Sequence, residues 1–352
     1  MELRILHINC NKEWRGGEQV VHAIFNGAFK QCTQFLFCPS NSELANRNTQ
    51  KSANLFTYNK KMGVDIIGAI QLKKIINSQQ IQLIHLHDAH AINMYYLACF
   101  FGVKVPAVIH RHVDYPIKSA WKYKNNRILK IICVSKTVEN TVHKYTHNKQ
   151  KTIVIYSGIA IKKYSAIIEN KNLKNELNIP KNNKIIGIVS ALEKEKNIEE
   201  FCQIAQRIHK EKKEYNFIVI GKGSLFTLYQ QQYPFIHFLG FKENITEVLQ
   251  QIDIFLFTSK SEGLGMAVIE AMAAQIPIVS HASTAVKEII EHQKNGYIYT
   301  TPEEAIKYIY TLLEQPDLKK EITQNALKSI EKFDVSLSNN QLETLYISLL
   351  VK

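Results

Sequence analysis

Short apolar runs recur along this chain, and most are followed by a breaker segment and then by apolar residues at helical spacing. Residues 3–9, 35–38, 81–87, 105–110, 128–135 and 151–157 are rich in Ile, Leu, Val and Phe and too short for helices, so they predict buried strands. Between them, 19–25, 66–75 and 91–99 repeat apolar residues every three or four positions, which predicts helices. A second series opens with a strand at 184–191 and a helix over 198–210. Strands at 215–221, 236–240 and 252–258 follow, then a helix over 265–274, strands at 276–280 and 296–299, and helices through 302–350. Strands that alternate with helices predict parallel sheets covered on both faces. The expectation is an α/β chain of two doubly wound, Rossmann-like domains facing each other across a cleft, with sites at the carboxyl ends of strands.

The length of 352 residues suits two such domains. Ser157-Gly158-Ile159 and the Asn/Lys-rich run 170–184, broken by Pro180, mark the junction. The expected limits are 1–165 and 166–335, with a terminal helix at 336–352 packing back toward the first domain. Hydrophobic residues at 45% and charged residues at 21% exclude a disordered or collagen-like chain. There is no run of 18 apolar residues, and the first nine residues read as a strand rather than a secretory signal. Six scattered cysteines without a Cys-Xxx-Xxx-Cys pair predict reduced thiols and a cytoplasmic protein.

Charge is distributed unevenly. Residues 1–165 hold 23 Lys and Arg against 8 Asp and Glu, a net +15, whereas the remainder is −2, within a total of +13. A basic first half predicts an anionic partner. No helix-turn-helix, zinc spacing or RNA-binding aromatic signature accompanies the charge, so nucleic acid is not expected. Lys60-Lys61, Lys73-Lys74 and the lysines from Lys118 to Lys130, interleaved with Tyr115, Trp121 and Tyr123, point to peripheral contact with an anionic membrane surface.

The densest chemistry lies in Ser-Glu-Gly-Leu-Gly-Met-Ala-Val-Ile-Glu-Ala-Met-Ala, residues 261–273, after the 252–258 strand. Gly263 and Gly265 predict a turn that opens a helix, whose orphan N–H groups suit an anion. The carboxylates of Glu262 and Glu270 bracket that N-terminus and suit sugar hydroxyls, so the combination predicts a nucleotide-sugar site. Gly16 and Gly17 follow the first strand and predict a loop that lets backbone approach a ligand. Gly221, after another strand, predicts a close backbone approach or an anion contact. Neither loop has the spacing of a dinucleotide fingerprint or a Walker A loop. Lys196 is a candidate partner for a diphosphate. His85, His87 and His90 with Asp88 lack metallo-hydrolase order and predict polar strand-end residues, with no metal. His110 and His112 end the next strand and can face a sugar hydroxyl.

Together these residues resemble the retaining glycosyltransferase family 4, a family of GT-B fold, over nearly the whole chain and most specifically over 184–300. The resemblance implies that Glu270 holds ribose hydroxyls and that Glu262 contacts the donor sugar near the reacting centre. It implies that backbone groups of Gly263, Leu264, Gly265 and Met266 meet the diphosphate and sugar, with Lys196 on the diphosphate and Gly16-Gly17 as the N-terminal glycine loop. His112 matches the histidine near the donor sugar, with His110 as its competitor, and on domain closure it would meet the sugar. Two departures stand out: the basic residue often found beside the lysine is Ala191 here, and the usual downstream Gly-Gly is Thr284-Ala285. The 13–19, 85–90 and 110–116 segments resemble a bacterial subgroup of lipopolysaccharide and surface-glycan transferases. The implied activity is metal-independent, retaining transfer from a nucleoside-diphosphate sugar to a hydroxyl of an anionic glycan or glycolipid on the cytoplasmic face of the inner membrane. Alternatives are a nucleotide-sugar epimerase or hydrolase of the same fold, and a degenerate nucleotide-sugar-binding subunit.

Overall fold

A computed structural model describes residues 2–60, 65–166 and 173–351. It divides into two compact units, Met1–Gly158 with Val335–Lys352, and Ile159–Asp334. Lys61 and residues 170–172 of the expected junction lie outside the described residues.

The first unit is built on seven strands: β1 (Leu3–Ile8), β2 (Cys32–Pro39), β3 (Leu55–Tyr58), β4 (Leu83–Leu86), β5 (Ala107–Arg111), β6 (Ile128–Cys133) and β7 (Thr152–Val154). They pair in parallel in the order β3-β2-β1-β4-β5-β6-β7. Apolar residues on both faces of β4 are buried, as a central parallel strand requires. The helix Val335–Leu350 returns to this unit. Its Tyr346 is fully buried and bonds His85 Nδ1 through the hydroxyl at 2.7 Å, while Glu343 accepts from the Gln31 amide at 2.6 Å.

The second unit carries β8 (Lys184–Val189), β9 (Tyr215–Ile220), β10 (Ile236–Gly240), β11 (Ile254–Phe257), β12 (Ile278–His281) and β13 (Tyr297–Tyr299), again all parallel, in the order β10-β9-β8-β11-β12-β13. Helix Ile198–Glu211 packs Ile198, Phe201, Cys202, Ile204, Ala205 and Ile208 into its core as one stripe. Helix Pro302–Glu314 starts at a reciprocal cap between Thr301 and Glu304.

Both sheets therefore reverse order beside their first strand, between β1 and β4 and between β8 and β11, which is the Rossmann arrangement. Two sequence expectations need correction. Gly16 and Gly17 form the first turn of helix Gly16–Phe25 rather than a loop, a position where backbone N–H groups have no intrahelical partner to lose. Residues 159–165 belong with the second unit rather than the first, because the short helix Ile161–Ser165 packs its Tyr164 toward the helix Met266–Ala273. Among the described residues no helix is long and apolar enough to cross a membrane, and all six cysteines are free.

Tyr346→Phe would leave both ring nitrogens of buried His85 without a partner, since Nε2 already has none. Urea denaturation should show a loss of about 1–3 kcal/mol, the cost of a buried unsatisfied polar atom.

Candidate functional site

The carboxyl ends of β8 and β11 bring two sequence-distant residues together. Lys196 lies in the short turn Lys194–Lys196 beyond β8, and Glu262 in the loop beyond β11. Lys196 Nζ donates to Glu262 Oε1 at 2.8 Å, with the two side chains 24% and 15% exposed. Asn197 holds the two loops together, its Nδ2 donating to the Thr258 carbonyl at 3.2 Å and to Glu200 Oε2 at 2.8 Å. In such a partly desolvated pair each charge depends on the other, because removing or drawing away one partner leaves the other poorly solvated.

The loop turns into the helix Met266–Ala273 at Gly265, whose φ of 95° is the left-handed conformation glycine tolerates. No side chain caps this helix, so its first-turn N–H groups keep no side-chain acceptor, a geometry suited to an anion. Glu270 projects from the second turn into the interior, 5% exposed, and accepts a hydrogen bond from the Tyr164 hydroxyl at 2.9 Å. Burial raises its carboxyl to about 7, outweighing the Tyr164 bond and the nearby charge of Lys163. Gly221, after β9, has a φ of 136°, and a Cβ there would fall 1.9 Å from the Ser190 carbonyl oxygen. Its glycine lets the 221–225 loop lie against the chain leaving β8, where the Leu192 amide donates to the Lys222 carbonyl at 3.0 Å. The described contact of Gly221 is thus with backbone. A surface hollow of about 470 Å³ lined by Arg207, Glu211 and Tyr310 lies away from all these residues.

In the first unit the strand ends carry five buried or half-buried histidines. Alternate residues of a strand share a face, so His85 with His87 and His110 with His112 point the same way, and the β1–β4 register sets His7 beside His85. Face-to-face stacks join His85 with His87 and His110 with His112, each at 4.2 Å between centroids. Burial holds all five neutral: His7 is lowered to about 4 against the Gln34 bond, His112 to about 3 with the Arg111 charge adding to burial, and His85, His87 and His110 well below the ordinary value with repulsion from neighbouring rings adding to burial. Two triplets, His7/His85/His87 and His87/His110/His112, hold ring nitrogens within 4.8 Å of one another and could bind a metal ion. In each triplet, however, two of the rings are joined by a hydrogen bond. Gly17 backs onto His112, with a built Cβ 3.7 Å from its Cγ.

The acids near these strand ends are engaged. Glu18 is buried and accepts from Asn9 at 3.0 Å and Asn11 at 2.8 Å. Asp88 caps helix Ala89–Phe100 and accepts the amides of Cys10, His90 and Ala91 at 2.6–2.9 Å. Asp114 accepts from the Thr141 hydroxyl, and Glu13 pairs with Arg15. Tyr164, His7, Gln34 and Tyr346 were absent from the sequence expectation. No local signal marks Tyr164, which meets Glu270 across 106 residues of chain.

Two family models match this chain: Glycosyltransferase Family 4 over residues 14–163, and Glycosyl transferases group 1 over 169–329. The chain belongs to the family 4 glycosyltransferases. Among the relatives of this glycosyltransferase, an N-acetyl-alpha-D-glucosaminyl L-malate synthase of Bacillus anthracis is 25% identical over 81% of this chain and 80% of its own. An alpha-monoglucosyldiacylglycerol synthase of Acholeplasma laidlawii is 26% identical over 78% and 77%. The fold class, GT-B, is shared with Anabaena HepE in complex with UDP-glucose, at TM-score 0.85 and 20% identity over 99% of this chain and 100% of that one.

Glu270 should register in stability as pH changes. The unfolded carboxyl ionises near 4.5 and the folded one near 7, so the folded state holds the extra proton between them and loses stability as pH rises through that window. Glu270→Gln keeps an acceptor for Tyr164 and does not titrate. Urea titrations should therefore show the variant gaining on the parent from pH 4.5 to 7, by up to roughly 3 kcal/mol, and then levelling off.

Proposed function

We propose that this glycosyltransferase is retaining and moves a sugar from a nucleoside-diphosphate sugar to a hydroxyl of a cell-envelope glycan or glycolipid. The observation that carries the reading is the convergence of Lys196, Glu262, Glu270 and an uncapped helix N-terminus at the strand-order reversal of the second unit. In this reading Glu270 accepts from the ribose hydroxyls. The diphosphate, resting on the N–H groups from Gly263 to Met266, draws Lys196 away from Glu262, which frees that carboxylate for hydroxyls of the donor sugar. The bond from the anomeric carbon to the phosphate oxygen breaks as the acceptor oxygen bonds the same face. The acceptor's proton passes to the leaving phosphate oxygen. Lys196 and the helix N-terminus supply the positive environment, so no divalent metal is required.

A uridine nucleotide is the first donor to try, because Anabaena HepE was crystallised with UDP-glucose, and a relative in Escherichia coli is a UDP-Gal:alpha-D-GlcNAc-diphosphoundecaprenol alpha-1,3-galactosyltransferase, 20% identical over 82% of this chain. That relative and the diacylglycerol-lipid synthase of Acholeplasma support a lipid-borne acceptor. An epimerase would need acids free for proton transfer, whereas Glu13, Glu18, Asp88 and Asp114 each have a partner. A degenerate binding subunit would not need the Lys196–Glu262 pair to be kept intact.

Peripheral attachment to the cytoplasmic face of the inner membrane is part of the proposal. Trp121 is 59% exposed among the lysines of 118–130 and Tyr115, just before them, 44%, and Phe100 with Ile66, Ile67 and Ile70 adds exposed apolar surface to the same basic unit. Each lysine near an anionic surface contributes roughly 1 kcal/mol.

Sugar transfer from UDP-sugars in EDTA, with lipid-linked and deacylated lipopolysaccharide acceptors, tests the activity, and the anomeric configuration of the product tests retention. Glu270→Ala should raise the donor Kd at least about tenfold through lost hydrogen bonds. Glu262→Ala should mainly lower kcat, and Lys196→Ala should impair both. His112→Ala should reduce kcat more than nucleotide affinity, and a ribose-binding role for Glu270 is refuted by an unchanged Kd. In flotation at low salt, recovery should favour anionic over neutral vesicles. Equal recovery would sink the electrostatic attachment.

A further inference from the structure

Three of the five strand-end histidines of the first unit, His7, His87 and His112, meet edge to edge rather than face to face. His7 Nδ1 and His87 Nε2 are 2.9 Å apart with ring centroids at 5.2 Å. His87 Nδ1 and His112 Nε2 are 3.2 Å apart with centroids at 5.5 Å. In each pair the centroids exceed the nitrogens in separation by about the width of a ring, so the bond runs along the rings.

The far end of this wire is anchored. His7 Nε2 lies 2.6 Å from Gln34 Oε1, and Gln34 Nε2 donates to the Cys32 carbonyl at 3.3 Å. Turning the amide over would set its oxygen against that carbonyl, so the oxygen must face His7. Each buried ring is neutral and carries one proton. His7 then donates from Nε2 to Gln34 and accepts at Nδ1. His87 donates from Nε2 and accepts at Nδ1. His112 donates from Nε2, and its Nδ1 is left bare, buried and without a partner.

We propose that Gln34, His7 and His87 are positioning residues that lock His112 in its Nε2–H tautomer, so that Nδ1, covered in this state, is an unprotonated acceptor for a substrate hydroxyl that displaces its cover. A bare nitrogen attracts a hydroxyl proton and repels a phosphate oxygen, so His112 selects the sugar or the acceptor alcohol, not the diphosphate. The substrate half of this inference rests on the transferase reading above, and the tautomer half does not. Metal binding by the same rings would require the shared protons to leave, since the nitrogens of the wire are already joined in pairs.

Long-range proton–nitrogen NMR on the full chain labelled at histidine reads the tautomer directly. The expected result is a protonated Nε2 and an unprotonated Nδ1 at His112, and a mixture of tautomers in Gln34→Leu. Turnover should fall roughly tenfold in Gln34→Leu with donor Kd unchanged. A protonated Nδ1 in the parent protein overturns the proposal even if no variant folds. So does a tautomer unmoved by Gln34→Leu, or stoichiometric zinc binding that shifts His7 and His87. Failure of sugar transfer in the parent protein would remove the transferase reading while the tautomer remained measurable.

Discussion

Both units depend on the same constraint: a parallel sheet whose strand order turns back on itself must send neighbouring crossovers to opposite faces. At that point the connecting loops part, and no helix covers the strand ends. The β1–β4 and β8–β11 reversals each leave polar groups at such an opening, and the two units satisfy them differently. In the second, opposite charges meet, with Lys196 and Glu262 compensating each other. In the first, among the described residues no opposite charge is set against the histidines, so desolvation keeps them neutral; four of them bond to one another, to Gln34 or to Tyr346, while both ring nitrogens of His110 stay buried without a partner.

Glu270 follows a third course. It has neither a paired cation nor solvent, only the Tyr164 hydroxyl, and its ionisation is correspondingly reluctant. A buried carboxyl of this kind gains most from a ligand that brings further hydrogen-bond donors, because each new donor favours the charged form. The Tyr164 bond also ties the start of the second unit to the helix that carries the carboxylate, so the geometry of the site and the packing of its first short helix are one problem.

What was legible in the sequence followed from local rules. The continuous apolar run 254–257 and the run 83–86, apolar but for His85, announced central strands, and the Ile198–Glu211 helix announced itself by its stripe. β3 escaped notice because three of its four residues are not fully buried and its pattern is too short to separate from loop. The Gly16-Gly17 pair reads as a breaker, and only the helix geometry shows that a first turn tolerates it. Glu262 and Glu270 stood out because they flank one turn in one segment. Lys196 stood out as a diphosphate partner, but its pairing with Glu262 did not, nor did Tyr164, since these contacts span 66 and 106 residues. The two His-Xxx-His pairs were visible, but His7 joined them only through the β1–β4 register, which no local pattern encodes.

The second unit begins and ends at neighbouring points. The Ile159 amide donates to the Phe333 carbonyl at 2.9 Å, and Ile159 forms a parallel bridge with Asp334. A segment whose two ends are stitched side by side behaves as a cassette: it can be exchanged for a homologous one with both splices falling in a single small region. Recombination at that one seam can therefore replace the whole second unit, leaving the histidine-bearing sheet, with its closing C-terminal helix, untouched.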